Sequence, residues 1–147
     1  MGNILMGIGN PLRRDDGAGN YVARNFRGRG WRSLDCGTVP ENFTGIVRKE
    51  RPHLLVLVDA ADMGIPAGES RVVPKEKISA VSFGTHQVSL DVLVDFLSGT
   101  AGRVVIVGVQ PLVVETGEGL SPVVREGADR LVRTLERDGP DGVPVLP

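Results

Sequence analysis

Residues 53–60 read HLLVLVDA. From Leu54 to Val58 every side chain is apolar, and the run stops at an aspartate, Asp59. A strand with one wet face alternates apolar and polar residues. A short unbroken apolar run of branched side chains reads instead as a strand covered on both faces. Such strands lie inside parallel sheets with helices packed above and below. RVVIVGV (103–109) has the same character, and NILMGI (3–8) reads as a first strand.

Working outward, residues 31–35 and the stretch ESRVVP (69–74) supply two further short strands. Between the strands lie helical patterns. One starts at Asp16, has Val22, Ala23 and Phe26 inside, and ends in RGRG (27–30). A second covers 41–51, with Phe43, Ile46 and Val47 on one side and Pro52 as its stop. A short helical segment is expected at 75–80. After GTHQ, the spacing of Val88, Val92, Leu93, Phe96 and Leu97 predicts a third amphipathic helix. Ser121 and Pro122 open the last, with Val124, Ala128, Leu131, Val132 and Leu135 inward. The tail GPDGVPVLP (139–147) is expected to be loose. The fold expected is α/β: a three-layer sandwich, with a twisted, mostly parallel sheet of about five strands and helices on both faces. Residues 1–138 are expected to form a single α/β domain.

Composition excludes several function classes. The chain has 147 residues, a net charge of −1 and 4% aromatic residues. No basic excess favours nucleic acid, and no aromatic platform offers itself for stacking bases. The single cysteine, Cys36, cannot form an intrachain disulfide, which suits a reducing cytoplasm. No apolar stretch suits a signal peptide or a membrane span. After Met1-Gly2, Met6 stands where a myristoylation motif needs Ser or Thr.

In parallel α/β sheets, sites collect beyond the carboxyl ends of the strands. Asn10, Asp15 and Asp16 follow the first strand, Asp35 and Thr38 the second, and Asp59 ends the third. His86 precedes a helix that can pack beside them. Singly, each has an ordinary structural reading as a cap, turn former or hydrogen bonder. His53, Asp62, Asp91 and Asp95 keep that reading. Together, Asp16, Asp59 and His86 make two carboxylates and an imidazole, a donor set for a divalent transition metal with open positions. No HExxH or CxxC motif signals a permanently held zinc.

The loop GIGNPLRRDDGAG (7–19) lacks the third glycine of GxGxxG and the GK[ST] of a P-loop. Its opening resembles peptidyl-tRNA hydrolase, but no histidine motif follows. The loop as a whole resembles the signature of the hydrogenase maturation endopeptidases: Gly-x-Gly-Asn-x-Leu, then Asp-Asp/Glu-Gly-x-Gly. Asp35-Cys36-Gly37-Thr38 is similar to that family's Asp-x-Gly-Thr box. LVDAADMG, THQVSLDVLV and VGVQP match its later motifs in order. GTVPENF and ADMG resemble the branch serving formate-hydrogenlyase and related energy-converting hydrogenases.

The resemblance implies an endopeptidase that removes the C-terminal extension of a nickel–iron hydrogenase large-subunit precursor after nickel insertion. It implies Asp16, Asp59 and His86 as ligands and catalytic groups. The nickel is supplied by the substrate, so no tightly bound metal of the enzyme's own is expected, another divalent metal being the alternative occupant. Asp35, Cys36, Gly37 and Thr38 are expected to recognise substrate. Gly7, Gly9, Asn10, Asp15 and Gly17 are expected to shape the loop, with Asp15 orienting the turn or holding Arg13 or Arg14. Gly17 and Gly19 are expected to leave room for the docking tail. Cys36 is a poor nucleophile, having no assigned histidine. The free enzyme is expected to be a cytoplasmic monomer that binds no nucleic acid and inserts in no membrane. The alternatives are a non-cleaving, nickel-dependent chaperone for the same precursor and, more remotely, a peptidyl-tRNA hydrolase-like enzyme.

Overall fold

The computed structural model describes residues 2–84 and 89–147. Six strands appear: β1 (Asn3–Ile8), β2 (Trp31–Asp35), β3 (Leu54–Asp62), β4 (Ser70–Val73), β5 (Ser82–Phe83) and β6 (Arg103–Val109). The helices are α1 (Ala18–Asn25), α2 (Thr44–Glu50), α3 (Leu90–Leu97) and α4 (Pro122–Asp138). The sheet order is β2-β1-β3-β6-β4. The first four of these run parallel, β4 pairs antiparallel with β6, and β5 adds a two-residue antiparallel pairing at the end of β3. The expected three-layer α/β sandwich is present. β5 is the strand that the sequence pattern misses, because two paired residues leave no periodicity to read.

The unbroken apolar runs divide by parity between two cores, since side chains alternate across a strand. Leu5, Val56, Val58, Val105, Val107 and Val109 pack under α1 and α4. Ile4, Met6, Ile8, Leu55, Leu57 and Ile106 pack on the other face, under α2 and α3. α4 buries the expected Val124, Ala128, Leu131, Val132 and Leu135.

Several local expectations are corrected. The first helix does not begin at Asp16: a 3-10 turn, Arg14–Gly17, precedes α1. The second likewise opens on a 3-10 turn, Pro40–Phe43. In α3 the inner face is Leu90, Leu93, Val94 and Leu97, while Val92 and Phe96 are 57% and 53% exposed. Six of its eight residues are apolar, so two overlapping stripes fit the helical period and the pattern does not choose between them. Val88 lies outside the described residues. The tail is not loose. Gly139–Gly142 form a 3-10 turn, Val143 is buried, and the backbone N–H and C=O of Val72 pair with Pro144 and Leu146. The edge of β4 is thereby covered, which satisfies backbone groups that an open edge leaves bare.

Candidate active site

Register brings Ile8, Asp59 and Gly108 side by side near the carboxyl edge of the parallel strands. β3 does not end at Asp59, as expected, but continues to Asp62 because β5 pairs with its last residues. Asp59 is fully buried.

Beyond β1 the chain folds back sharply. Asn10 closes an Asx turn, its Oδ1 accepting from the Leu12 N–H at 3.0 Å. Its own N–H donates to Asp16 Oδ2 at 3.2 Å. Pro11 presses on Gly17, where no Cβ would fit. α1 then crosses the sheet at backbone contact. A Cβ on Gly7 would strike the Gly19 carbonyl, and one on Gly19 would strike the carbonyls of Ile8 and Val58. Gly19 therefore faces the sheet, not a docking tail. Its work is to let α1 settle on the strand ends and fix the turn carrying Asp16.

Asp16 is 3% exposed and lines a cleft of about 360 Å³. Ala60 and Ala61, which follow Asp59, lie in the same cleft, with Phe83, Gly84 and Gln110. Gly84 lies directly against Asp16, such that a Cβ there would collide with Oδ1. Asp16 and the segment after Asp59 thus meet at one opening. His86, the third expected member, lies outside the described residues. The donor set at the cleft is hard carboxylate oxygen, which suits a divalent cation. Among the described residues no third His, Cys, Asp or Glu joins to make a metal cluster.

Asp15 points away from Asp16 and does different work. Fully buried, its carboxylate accepts from the N–H groups of Leu112 (3.0 Å), Val113 (2.8 Å) and Ser121 (2.7 Å) and from Ser121 Oγ (2.7 Å). Burial pushes its carboxyl up, but these donors together outweigh burial and hold it below the usual value. It therefore orients the turn, as expected, but by gripping the segment after β6. It holds neither neighbouring arginine: the Arg14 Nε–H goes to the Gly119 carbonyl at 2.8 Å. Ser121 sits at the N-cap of α4, yet its hydroxyl serves Asp15 and makes no cap.

The box after β2 is tied to its neighbours by a dense set of bonds. Asp35 accepts from Asn20 Nδ2 (2.7 Å), the Gly37 N–H (3.1 Å) and Arg24 Nε (2.6 Å). Burial raises its carboxyl, and these partners more than reverse that. The Cys36 N–H donates to the Gly7 carbonyl, and the Gly9 N–H to that of Gly37, continuing the pairing of the two loops. The Cys36 thiol is buried and is pushed up to about 12, first by burial and then by Asp35. It is no nucleophile at neutral pH. None of Asp35, Cys36, Gly37 and Thr38 lines the Asp16 cleft; the bonds of Asp35, Cys36 and Gly37 hold the loops after β1 and β2 together.

Gln110 is a site residue whose role sequence alone does not reveal. Its Oε1 accepts from the Met63 N–H (2.7 Å) and its Nε2 donates to Asp62 Oδ1 (3.1 Å). The cleft wall after β3 is thereby tied to the end of β6. Its place before Pro111 in GVQP was the available signal.

Comparison with known proteins gives one answer. Residues 18–138 match the family HycI, described as hydrogenase maturation protease. The hydrogenase 3 maturation protease of Escherichia coli K12 is 31% identical over 140 residues, spanning 92% of this chain and 90% of its own. A putative hydrogenase maturation protease of Methanocaldococcus jannaschii is 30% identical, spanning 90% and 85%. The solution structure of the endopeptidase HycI from Escherichia coli superposes with a TM-score of 0.89 at 30% identity, over 100% of this chain and 97% of that one. The HycI crystal structure from Thermococcus kodakarensis gives 0.81 at 30% identity, over 92% and 90%. With a matched domain, full-length relatives and a shared fold, the chain belongs to the hydrogenase maturation proteases.

Proposed function

We propose that this protease cuts the C-terminal extension from a nickel–iron hydrogenase large-subunit precursor once nickel is in place, reading the substrate's own nickel. The observation that carries the reading is a buried carboxylate, Asp16, at a cleft whose wall is the chain segment directly after the buried Asp59, in a family member. Asp16, Asp59 and His86 are the residues that would hold the substrate's metal. Held there, the substrate's ion would supply Lewis acidity toward the scissile carbonyl. One carboxylate accepts a proton from the attacking water as its oxygen bonds to the carbonyl carbon. The proton then passes to the leaving amine as the C–N bond breaks. The fully buried thiol of Cys36 takes no part. The enzyme acts in the cytoplasm as a monomer and carries no resident metal. No helix among the described residues is long and apolar enough to cross a membrane.

The test is a cleavage assay on nickel-loaded and nickel-free precursor, read by product mass. Loss of one C-terminal peptide from the loaded form alone is the expected result. Nickel-dependent binding without cleavage would establish a chaperone instead. Normal processing by Asp16→Ala, Asp59→Ala or His86→Ala would remove that residue from the site.

A further inference from the structure

The loops after β1 and β6 are zipped together. The Arg14 N–H donates to Gly117, the Gly117 N–H to Leu12, and the Asp15 N–H to Val113, all near 3.0 Å. Arg13 and Gly117 form a parallel bridge. The Asp15 carboxylate adds its grip on Leu112, Val113 and Ser121 from beneath. Two irregular loops thus become one braced wall, with Asp16 at its foot.

The wall presents apolar side chains to solvent. Leu12 is 61% exposed, Leu112 61% and Val114 44%. Large apolar side chains on a surface this well braced are a recognition feature rather than a packing one, since they contribute nothing to the core. Leu112 and Val114 line the same cleft as Asp16, so a chain laid against that carboxylate must pass over them. Resting on the function proposed above, we infer that this wall is the docking surface for an apolar segment of the precursor beside the bond to be cut, with Leu112 and Val114 setting specificity. The occupant follows from continuity with the cleft: the polypeptide that reaches Asp16 is the one that covers the wall.

A photo-crosslinking amino acid placed at 112, and for comparison at the exposed Val145 on the far sheet edge, tests this with nickel-loaded precursor. Crosslinks at 112 should map within a few residues of the cleavage point, with none from 145. A Leu112→Ser, Val114→Ser double variant keeps the backbone grip of Asp15 and should stay folded. Its KM should rise about tenfold or more, with kcat within about twofold. No crosslink at 112, or an unchanged KM, would overturn the docking surface while leaving the cleavage reaction standing. A wild-type protein that crosslinks at 112 but never cuts would retain the surface and overturn the proposed reaction.

Discussion

Replacing Asp15 should cost stability in a graded way that the hydrogen-bond geometry dictates. Asp15→Ala leaves three backbone N–H groups, the buried one of Ser121 and the part-buried ones of Leu112 and Val113, without their acceptor. The Ser121 hydroxyl can rotate to another partner, but the amides cannot. At about 1–3 kcal/mol for the buried donor, and less for the two that water can reach, the loss is about 3 kcal/mol. Asp15→Asn keeps the shape. Its oxygen can still accept from Leu112 and Val113, but its amide then faces the Ser121 N–H, donor against donor. One bond is lost and three lose their charge, for about 2 kcal/mol. Urea unfolding should place the midpoints in the order wild type, Asn, Ala, with similar slopes. pH adds a second signature. A carboxyl held below its unfolded value of 3.8 contributes stability that is present above that value. The contribution is lost as pH falls below it through the lower folded value. The gap between wild type and Asp15→Asn should therefore be full at neutral pH and narrow below about pH 4. Variants within about 0.5 kcal/mol of wild type at neutral pH would refute the account of the clamp.

Gly84→Ala should depress cleavage far more than stability, because the new methyl group must displace the Asp16 carboxylate at the cleft mouth; equal kcat/KM in a folded variant would refute the contact. Cys36→Ala should cleave normally, and the native thiol should resist iodoacetamide at pH 8, being pushed up to about 12; rapid alkylation of the folded protein would contradict its burial. Removing residues 143–147 uncovers the Val72 edge and takes the buried Val143 out of the core. Unfolding should then need about 1–3 kcal/mol less, and an unchanged urea midpoint would show the tail to be a passive appendage.

Legibility followed the range of the interactions. The β3 run was decisive because burial on both faces leaves a local imprint, and α4 was readable because its polar face contrasts with its apolar stripe. α3 lacked that contrast, so its inward face was misplaced. The tail looked loose because Pro and Gly dominate it, yet its partner, β4, lies some 70 residues earlier and leaves no mark on the tail itself. Asp16 and Asp59 were visible as strand-end carboxylates. The work of Asp15 was only half visible, since its partners lie 97 to 106 residues away. The Asp35–Thr38 box resembled a recognition element, but a short polar motif has the same sequence whether it faces a substrate or a neighbouring loop.

The parity of β3 has a consequence for quality control. Asp59 shares its side of the sheet with Leu55 and Leu57, while Val56 and Val58 point into the opposite core. Sliding β3 by one residue against its neighbours would exchange the two sets. The carboxylate would then be driven among the valines beneath α1 and α4, and its place at the carboxyl edge of the sheet would be taken by a hydrocarbon. The same slip that displaces Asp59 also breaks both cores. Register and burial therefore choose the same side of the sheet for Asp59, so a misregistered chain loses its core along with the position of that carboxylate.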